Sequence, residues 1–313
     1  MPVASVIIPA HDAEGTLGRT LDALANQDLE QPYEVIVVDD GSSDRTAAIA
    51  EAAAGPVTLI RQEALGPAAA RNRGASAAGG EVLAFTDADC FPRPNWLRAG
   101  LAALERSDLV VGAVLPDPDA PRGPFDRSLW VTRENGLYET ANLLVTREVY
   151  DRVDGFEAWL EPTIGKPMAE DVWFGWQARR SGARTVFCPD ALVHHAVFSR
   201  GAREFVLERR RLRYFPDMAA RMPELRESLF FARYFLNRRS AAFDAALVGS
   251  AGAALVRSRL PLATAVPYAV MIVREASGGR RFAGDIAVAG LAADVIGFAA
   301  LVRGSVRCTT LLL

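Results

Sequence analysis

Short apolar runs, each stopped abruptly by polar residues or proline, recur through the first two thirds of the chain. Ser5-Val-Ile-Ile-Pro9, Glu34-Val-Ile-Val-Val38 and Val82-Leu-Ala-Phe85 are of this kind, with 57–60 a weaker example. Nearly continuous apolarity over four or five residues predicts strands buried on both faces. The period changes between them. Residues 16–26 place Leu17, Leu21 and Leu24 on one helical face. Residues 45–54 follow as a helix that Ser43 or Asp44 can cap, then 66–78 and 95–105. Strand and helix alternating at this spacing predict a parallel sheet with helices on both faces. Further strands are expected at 112–115, 139–145 and 184–193, with a proline-rich loop over 116–124. A helix over 171–180 is expected to close at Gly182.

The pattern changes after residue 200. Segments 201–214 and 224–239 read as basic, aromatic-bearing helices. Apolar stretches follow at 241–256, 260–273 and 286–302. Each is shorter than the roughly 20 apolar residues of a spanning helix. They carry Asp244, Pro261 with Pro267, and Asp294, all costly at a bilayer centre. Interfacial helices or a shallow hairpin fit these stretches better than true spans, a soluble helical bundle being the alternative.

Charge sharpens this division. The formal net charge is −3, which predicts no general affinity for nucleic acid. Yet residues 200–239 hold eleven Arg against five Asp or Glu, a basic face suited to an anionic membrane surface. The three cysteines, Cys90, Cys188 and Cys308, are unclustered and suggest a reducing compartment and no zinc site. Residues 1–10 lack a basic leader pattern, so the expected location is cytoplasmic, peripheral or monotopic at the membrane face.

The candidate chemistry sits at the strand ends. Phe85 is followed by Thr86, Asp87, Ala88 and Asp89. In α/β sheets ligands bind beyond the carboxyl ends of the strands. Two carboxylates there repel each other unless a cation lies between them. Hard divalent cations take oxygen ligands, so Mg²⁺ or Mn²⁺ carrying a diphosphate is the natural partner. An acidic strand-end turn is the plainer reading. No Gly-x-Gly-x-x-Gly follows the first strand, and no P-loop motif is present, which disfavours dinucleotide and P-loop binding.

Taken together, Ser5-Val-Ile-Ile-Pro-Ala10, Val37-Val-Asp-Asp-Gly-Ser-Ser-Asp44, Ala70-Arg-Asn-Arg-Gly74, Asp87-Ala-Asp89 and Glu170-Asp171 resemble, in order, the motifs of family 2 glycosyltransferases. The resemblance covers roughly 3–200. Asp12 departs from it, standing where the family usually carries Asn; both are short and accept hydrogen bonds.

The resemblance implies an α/β GT-A fold: a Rossmann-like, mostly parallel sheet flanked by helices, here with an α-helical C-terminal extension. Residues 1–115 would form the nucleotide-sugar-binding half, 116–200 the acceptor and catalytic half, and 201–313 a basic, then apolar extension. It implies a metal-dependent, inverting transfer of a sugar from a UDP-, GDP- or dTDP-sugar to a hydroxyl; the basic and apolar tail points to a lipid-linked or envelope glycan as the acceptor. Pro9, His11 and Glu14 would contact the nucleotide, and Asp40 would accept a hydrogen bond from its base. Arg71 would meet base or phosphate. Asp87 would face the ribose or the metal, and Asp89 would ligate the metal. Asp171, paired with Glu170, would be the general base. Acids in a first helical turn also suit the helix dipole. His195 would complete the metal site, with His194 beside it; a surface histidine pair is the plainer alternative. Asp154-Gly-Phe156 resembles the turn before the catalytic loop, and 165–167 a lid-like segment. A non-catalytic binding protein on this fold and a nucleotidyltransferase are the rivals.

Overall fold

The computed structural model describes residues 1–160, 162–163, 167–277 and 283–313. Gly165 and Lys166, part of the expected lid, lie outside the described residues. The chain divides into two compact units, Met1–Pro121 with Ser128–Val197, and Arg122–Arg127 with Phe198–Leu313.

The first unit is built on eight strands: β1 (Ala4–Ala10), β2 (Tyr33–Asp40), β3 (Val57–Gln62), β4 (Val82–Phe85), β5 (Cys90–Pro92), β6 (Leu109–Pro116), β7 (Leu143–Thr146) and β8 (Thr185–His195). They form one sheet in the order β3-β2-β1-β4-β7-β6-β8-β5. Helices α1 (Leu17–Ala25), α2 (Thr46–Glu51), α3 (Pro67–Ala77), α4 (Trp96–Leu104), α5 (Arg147–Arg152) and α6 (Glu170–Arg180) connect them. Val6, Ile7, Ile8 and Val35–Val38 are buried along whole strands, as continuous apolar runs require. Gly74 lets α3 lie on β1, because a Cβ there would meet Ile7 Cγ2 at 2.6 Å.

The sheet is mixed: among the described residues four of its seven pairings are parallel and three antiparallel. β1, β2, β3 and β4 pair in parallel, and so do β6 and β8, but β7 runs antiparallel to both of its neighbours and β5 antiparallel to β8. A parallel return needs a crossover, usually helical, and among the described residues no α-helix lies between β6 and β7.

The strand expected over 139–145 is also shorter. Thr140–Asn142 form a 3-10 turn, and only Leu143–Thr146 join the sheet. Asn142 is the reason. The pairing of β6 with β8 slips between Gly112 and Ala113, leaving carbonyls without ladder partners. The buried Asn142 amide donates to two of them, Ala113 O at 2.8 Å and Ala191 O at 2.7 Å. Its Oδ1 accepts from Trp96 Nε1 at 2.8 Å. One side chain thus ties β6, β8 and α4 together.

α2 starts at Thr46, one residue later than expected, and Asp44 rather than Ser43 accepts the Thr46 amide (2.9 Å). Gly182 follows α6 at φ +94°, the left-handed residue expected there.

The second unit is helical: α7 (Ala202–Glu208), α8 (Phe215–Arg221), α9 (Leu225–Ser228), α10 (Arg238–Val256), α11 (Val266–Ser277) and α12 (Ala283–Cys308). The helix expected over 224–239 stops after Ser228. Ala232 and Arg233 take left-handed conformations (φ +48° and +72°), and Phe231 pairs with Phe235. Asn237 then caps α10 by accepting the amides of Arg239 and Ser240. The last apolar stretch sits in a helix of 26 residues, α12, which by length and composition alone could cross a membrane. Its Asp294 accepts from Arg239 Nε (2.7 Å) and from Tyr268 Oη (2.7 Å). Asp244 is also buried in this unit, and burial with Asp294 nearby pushes its carboxyl up to about 6.

Replacing Asn142 by Ala would orphan two carbonyls and an indole N–H in the core. At roughly 1–3 kcal/mol per buried unsatisfied group, a loss of about 3 kcal/mol or more of unfolding free energy is expected. Urea denaturation measures it, and a loss below about 1 kcal/mol would mean the network is dispensable.

Candidate functional site

The first strand ends in a loop clamped to the second. His11 Nδ1 donates to Asp40 O at 2.8 Å. Asp12, at φ +48°, accepts from the Ser43 amide (2.8 Å) and hydroxyl (3.1 Å), and its own amide donates to Ser42 Oγ. The Ser43 amide holds the Asp12 carboxyl below its ordinary value. Glu14 Oε2 accepts from Arg45 N and Nε, each at 3.2 Å, and the Glu14 amide donates to Asp44. Pro9, within β1, lies opposite Val38 of β2. These residues meet at one edge because β1 and β2 are parallel neighbours, which brings both strand ends to the same side.

Asp40, expected to receive a base, is buried and already holds the protein itself. Its Oδ1 accepts from Gln62 Nε2 (2.7 Å) and Leu65 N (2.8 Å), and its Oδ2 from Gly66 N (2.8 Å). It thereby fixes the turn at Gly66, φ +90°, that starts α3. Leu65, Gly66, Pro67, Pro162, Met168 and Glu170 line a cavity of about 280 Å³ beside this turn.

Arg71 projects from α3 and is almost wholly buried. Its Nη1 donates to Glu170 Oε1 at 2.8 Å and its Nη2 to Asp87 Oδ1 at 3.0 Å. Burial opposes its charge, but Asp87, Glu170 and Asp171 outweigh burial and raise its pKa. The guanidinium expected to meet base or phosphate is therefore the link between the strand-end acids and the acids of α6. A planar fork with two donor edges suits that role. Its neighbour Asn72 fixes the turn at Asp154 and Gly155, where φ is +60° and +67°. Asn72 Nδ2 donates to Phe156 O (2.8 Å), and its Oδ1 accepts from Phe156 N (2.9 Å) and Tyr150 Oη (2.6 Å).

Asp171 follows Glu170 in the first turn of α6, and its Oδ1 accepts from the Val172 amide at 2.8 Å. Burial raises its carboxyl well above the usual range. Glu170 and Glu139 push the same way, and Arg71 opposes them. Glu139 was not singled out in the sequence. Its Oε1 accepts from Asn135 Nδ2 at 2.8 Å, and burial raises it too. No motif marks it; only the fold brings its charge near Asp171.

Asp89 diverges from Asp87. While Asp87 turns to Arg71, Asp89 lies with Oδ2 at 3.7 Å from His195 Nε2. His195 Nδ1 donates to Ala196 O at 2.6 Å, which orients the ring with Nε2 on the Asp89 side. His194 is one residue earlier on the strand and points to the other face. It lines a shallow depression with Arg19, Phe91 and Asp119, where burial lowers its pKa. The alternation of side chains along β8 thus separates the two histidines. Cys90, unclustered in sequence, is brought by the fold into a group with Asp89 and His195 whose ligand atoms lie within 4.8 Å of one another. A carboxylate and an imidazole nitrogen at this spacing fit a divalent cation such as Mn²⁺.

Residues 5–160 match the model of the family described as glycosyl transferase family 2. Glycosyltransferase AglE of Haloferax volcanii is 33% identical over 171 residues, 50% of this chain and 56% of that protein. Validoxylamine A glucosyltransferase of Streptomyces hygroscopicus subsp. limoneus is 37% identical over 108 residues, 33% of this chain and 24% of that one. The chain therefore spans little more than half the length of the first and a quarter of the second. Among solved structures, mannosyltransferase PcManGT from Pyrobaculum calidifontis, in complex with GDP-Man and Mn²⁺, superposes at a TM-score of 0.56. The match is 21% identical and covers 98% of this chain and 87% of that one. The mixed sheet and its flanking helices are a GT-A fold. On these motifs, this match and this fold, the chain belongs to glycosyl transferase family 2.

Proposed function

We propose that this protein is an inverting, metal-dependent hexosyltransferase that moves a sugar from a UDP-, GDP- or dTDP-sugar to a hydroxyl of a lipid-linked or cell-envelope glycan. The observation that carries this reading is Arg71, which joins the acid pair at the end of β4 to the acid pair at the start of α6. Names borne by similar proteins add support: a glycosyltransferase, a glucosyltransferase and a mannosyltransferase holding GDP-Man and Mn²⁺.

The chain's own residues have separable tasks. Asp171 takes the proton of the acceptor hydroxyl as that oxygen attacks the anomeric carbon. Its raised pKa makes it a stronger base than an exposed aspartate, and Glu170, held by Arg71, keeps it so. Asp40 and the loops of His11 and Glu14 shape the floor for the nucleotide. Pro9 and His11 are the walls of the base pocket. Asp89 and His195, with Asp87 close in sequence, would hold Mg²⁺ or Mn²⁺, which as a Lewis acid stabilises the departing diphosphate. Attack opposite the leaving group inverts the anomeric centre with no covalent intermediate.

The helical unit supplies the location. Val248, Leu255, Leu260, Val273 and Val288 are 61–85% exposed on α10, α11, α12 and the 3-10 segment Leu260–Ala265. The Arg excess of 200–239 lies in the same unit. Apolar side chains open to solvent beside cations fit an anionic, cytoplasmic membrane face, bound without spanning.

Three outcomes test this reading. Asp171→Asn keeps the shape but removes the base, so transfer should fall by about 10²–10⁴-fold with donor binding changed only a few-fold. The same change has a signed effect on stability. A carboxyl whose folded pKa is raised stabilises fully only below its unfolded value, near 3.9, and loses that contribution as pH rises through the folded one. Asp171→Asn should therefore raise the melting temperature at pH 8, and the gain should fade toward pH 4. Near-normal turnover would reduce Asp171 to a helix-end acid.

For the cation, Asp89→Asn should abolish the tightening of UDP or GDP by Mn²⁺ in calorimetry; an undiminished Mn²⁺ effect would remove Asp89 from the site.

For the membrane, full-length protein should float with anionic liposomes, be only partly released by high salt, and be largely released by Leu255→Glu with Leu260→Glu. Protein that ignores liposomes of either kind would contradict the placement.

A further inference from the structure

The three cysteines are far apart in sequence, and none has a metal-site spacing. The fold nevertheless places one of them in the Asp89 group. Cys90 Sγ lies 3.8 Å from Asp89 Oδ1, and His195 Nε2 lies 3.7 Å from Asp89 Oδ2. The antiparallel pairing of β5 with β8 is the cause, since it sets Cys90 opposite His195. Each oxygen of one carboxylate thus faces a different nitrogen or sulfur donor.

The donor set selects among cations, because a sulfur and an imidazole nitrogen beside one carboxylate, all within 4.8 Å of one another, favour Zn²⁺ over Mg²⁺. The hydrogen bond from His195 Nδ1 to Ala196 O already orients the ring, as second-shell partners of metal-binding histidines do.

We propose that Asp89, Cys90 and His195 form a three-ligand site for a thiophilic divalent cation of the Zn²⁺ class, with a fourth position left for an outside ligand. The proposal rests on the reading of Asp89 and His195 as cation ligands and adds Cys90 to them. On binding, the S–H bond is replaced by a sulfur–metal bond, the proton leaves to solvent, and nothing is oxidised or reduced. The consequence for the enzyme is competition: Zn²⁺ displaces Mn²⁺ from the site where the two share Asp89 and His195.

Co²⁺, a spectroscopic substitute for Zn²⁺, tests this on the full-length protein. One equivalent should produce a near-ultraviolet thiolate-to-cobalt charge-transfer band. The chain has only three cysteines, so a variant carrying Cys188→Ser and Cys308→Ser can show that band only through Cys90. The band should persist there and vanish in Cys90→Ser and Cys90→Ala. Zn²⁺ affinity, read by competition with a chromophoric chelator, should fall about tenfold or more in Cys90→Ser. Mn²⁺ affinity should change less than about threefold. If Cys90 variants fail to melt cooperatively, the double variant alone still decides. Co²⁺ binding with ligand-field bands but no charge-transfer band in the double variant overturns the role of Cys90 and leaves Asp89 and His195 standing. Failure of both Co²⁺ and Mn²⁺ to bind, read by calorimetry, overturns both.

Discussion

The candidate site depends on one buried cation. Arg71 sits between Asp87 and Glu170, which are 83 residues apart in the chain but share its two terminal nitrogens. Without that charge, three carboxylates would crowd a region closed to most water. Like charges that close raise one another's pKa until one of them protonates. With it, Glu170 is held by an ion pair, while Asp171 stays in a setting that penalises its charge. The division of labour within the Glu-Asp pair is thus electrostatic, and Arg71 sets it. Removing one partner from a buried ion group typically costs about 3–5 kcal/mol, so the clamp also constrains which substitutions the fold tolerates.

A second constraint is the slip between β6 and β8. A regular ladder would satisfy its own carbonyls; the slipped one requires Asn142 to do so. That requirement turns Thr140–Asn142 into a 3-10 turn and shortens β7. The same edge of the sheet carries β5 against β8, and hence the Asp89, Cys90 and His195 group. Irregularity at the edge of the sheet and chemistry at the same edge are linked, as is common where strands must re-aim side chains.

The helical unit solves a different problem. Its helices carry Asp244, Asp294 and Glu275 among alanine and valine. Arg239 pairs with both Asp294 and Glu275, and Tyr268 adds a hydrogen bond to Asp294. Internal pairing offsets the cost of an acid in an apolar environment for Asp294 and Glu275, while Asp244, whose Oδ2 is buried without a hydrogen-bond partner among the described residues, keeps it and is pushed up to about 6. The outward faces remain apolar at Leu255, Leu260 and Val288.

Much of the first unit was legible in the sequence because its cues are local. Continuous apolar runs announced β1, β2 and β4, heptad-like leucines announced α1, and glycine closed α6. The motif residues Asp40, Asp87, Asp89 and Asp171 all lie at strand or helix ends, as their spacing indicated. What the sequence could not decide were relations between distant segments. Strand direction at β7 depends on the path of a connection that carries no crossover helix. The helix expected over 224–239 gave way because the left-handed pair at Ala232–Arg233 and the cap at Asn237 outweigh helical periodicity. Whether His194 or His195 meets Asp89 depends on register, and a shift of one residue moves a side chain to the other face of a strand. The partners of Arg71 and Asp40, and the arrival of Cys90 and Glu139 at the site, follow from three-dimensional packing alone. Sequence fixes which charges exist; only the folded chain determines which of them share a low-dielectric space, and there their energies are decided.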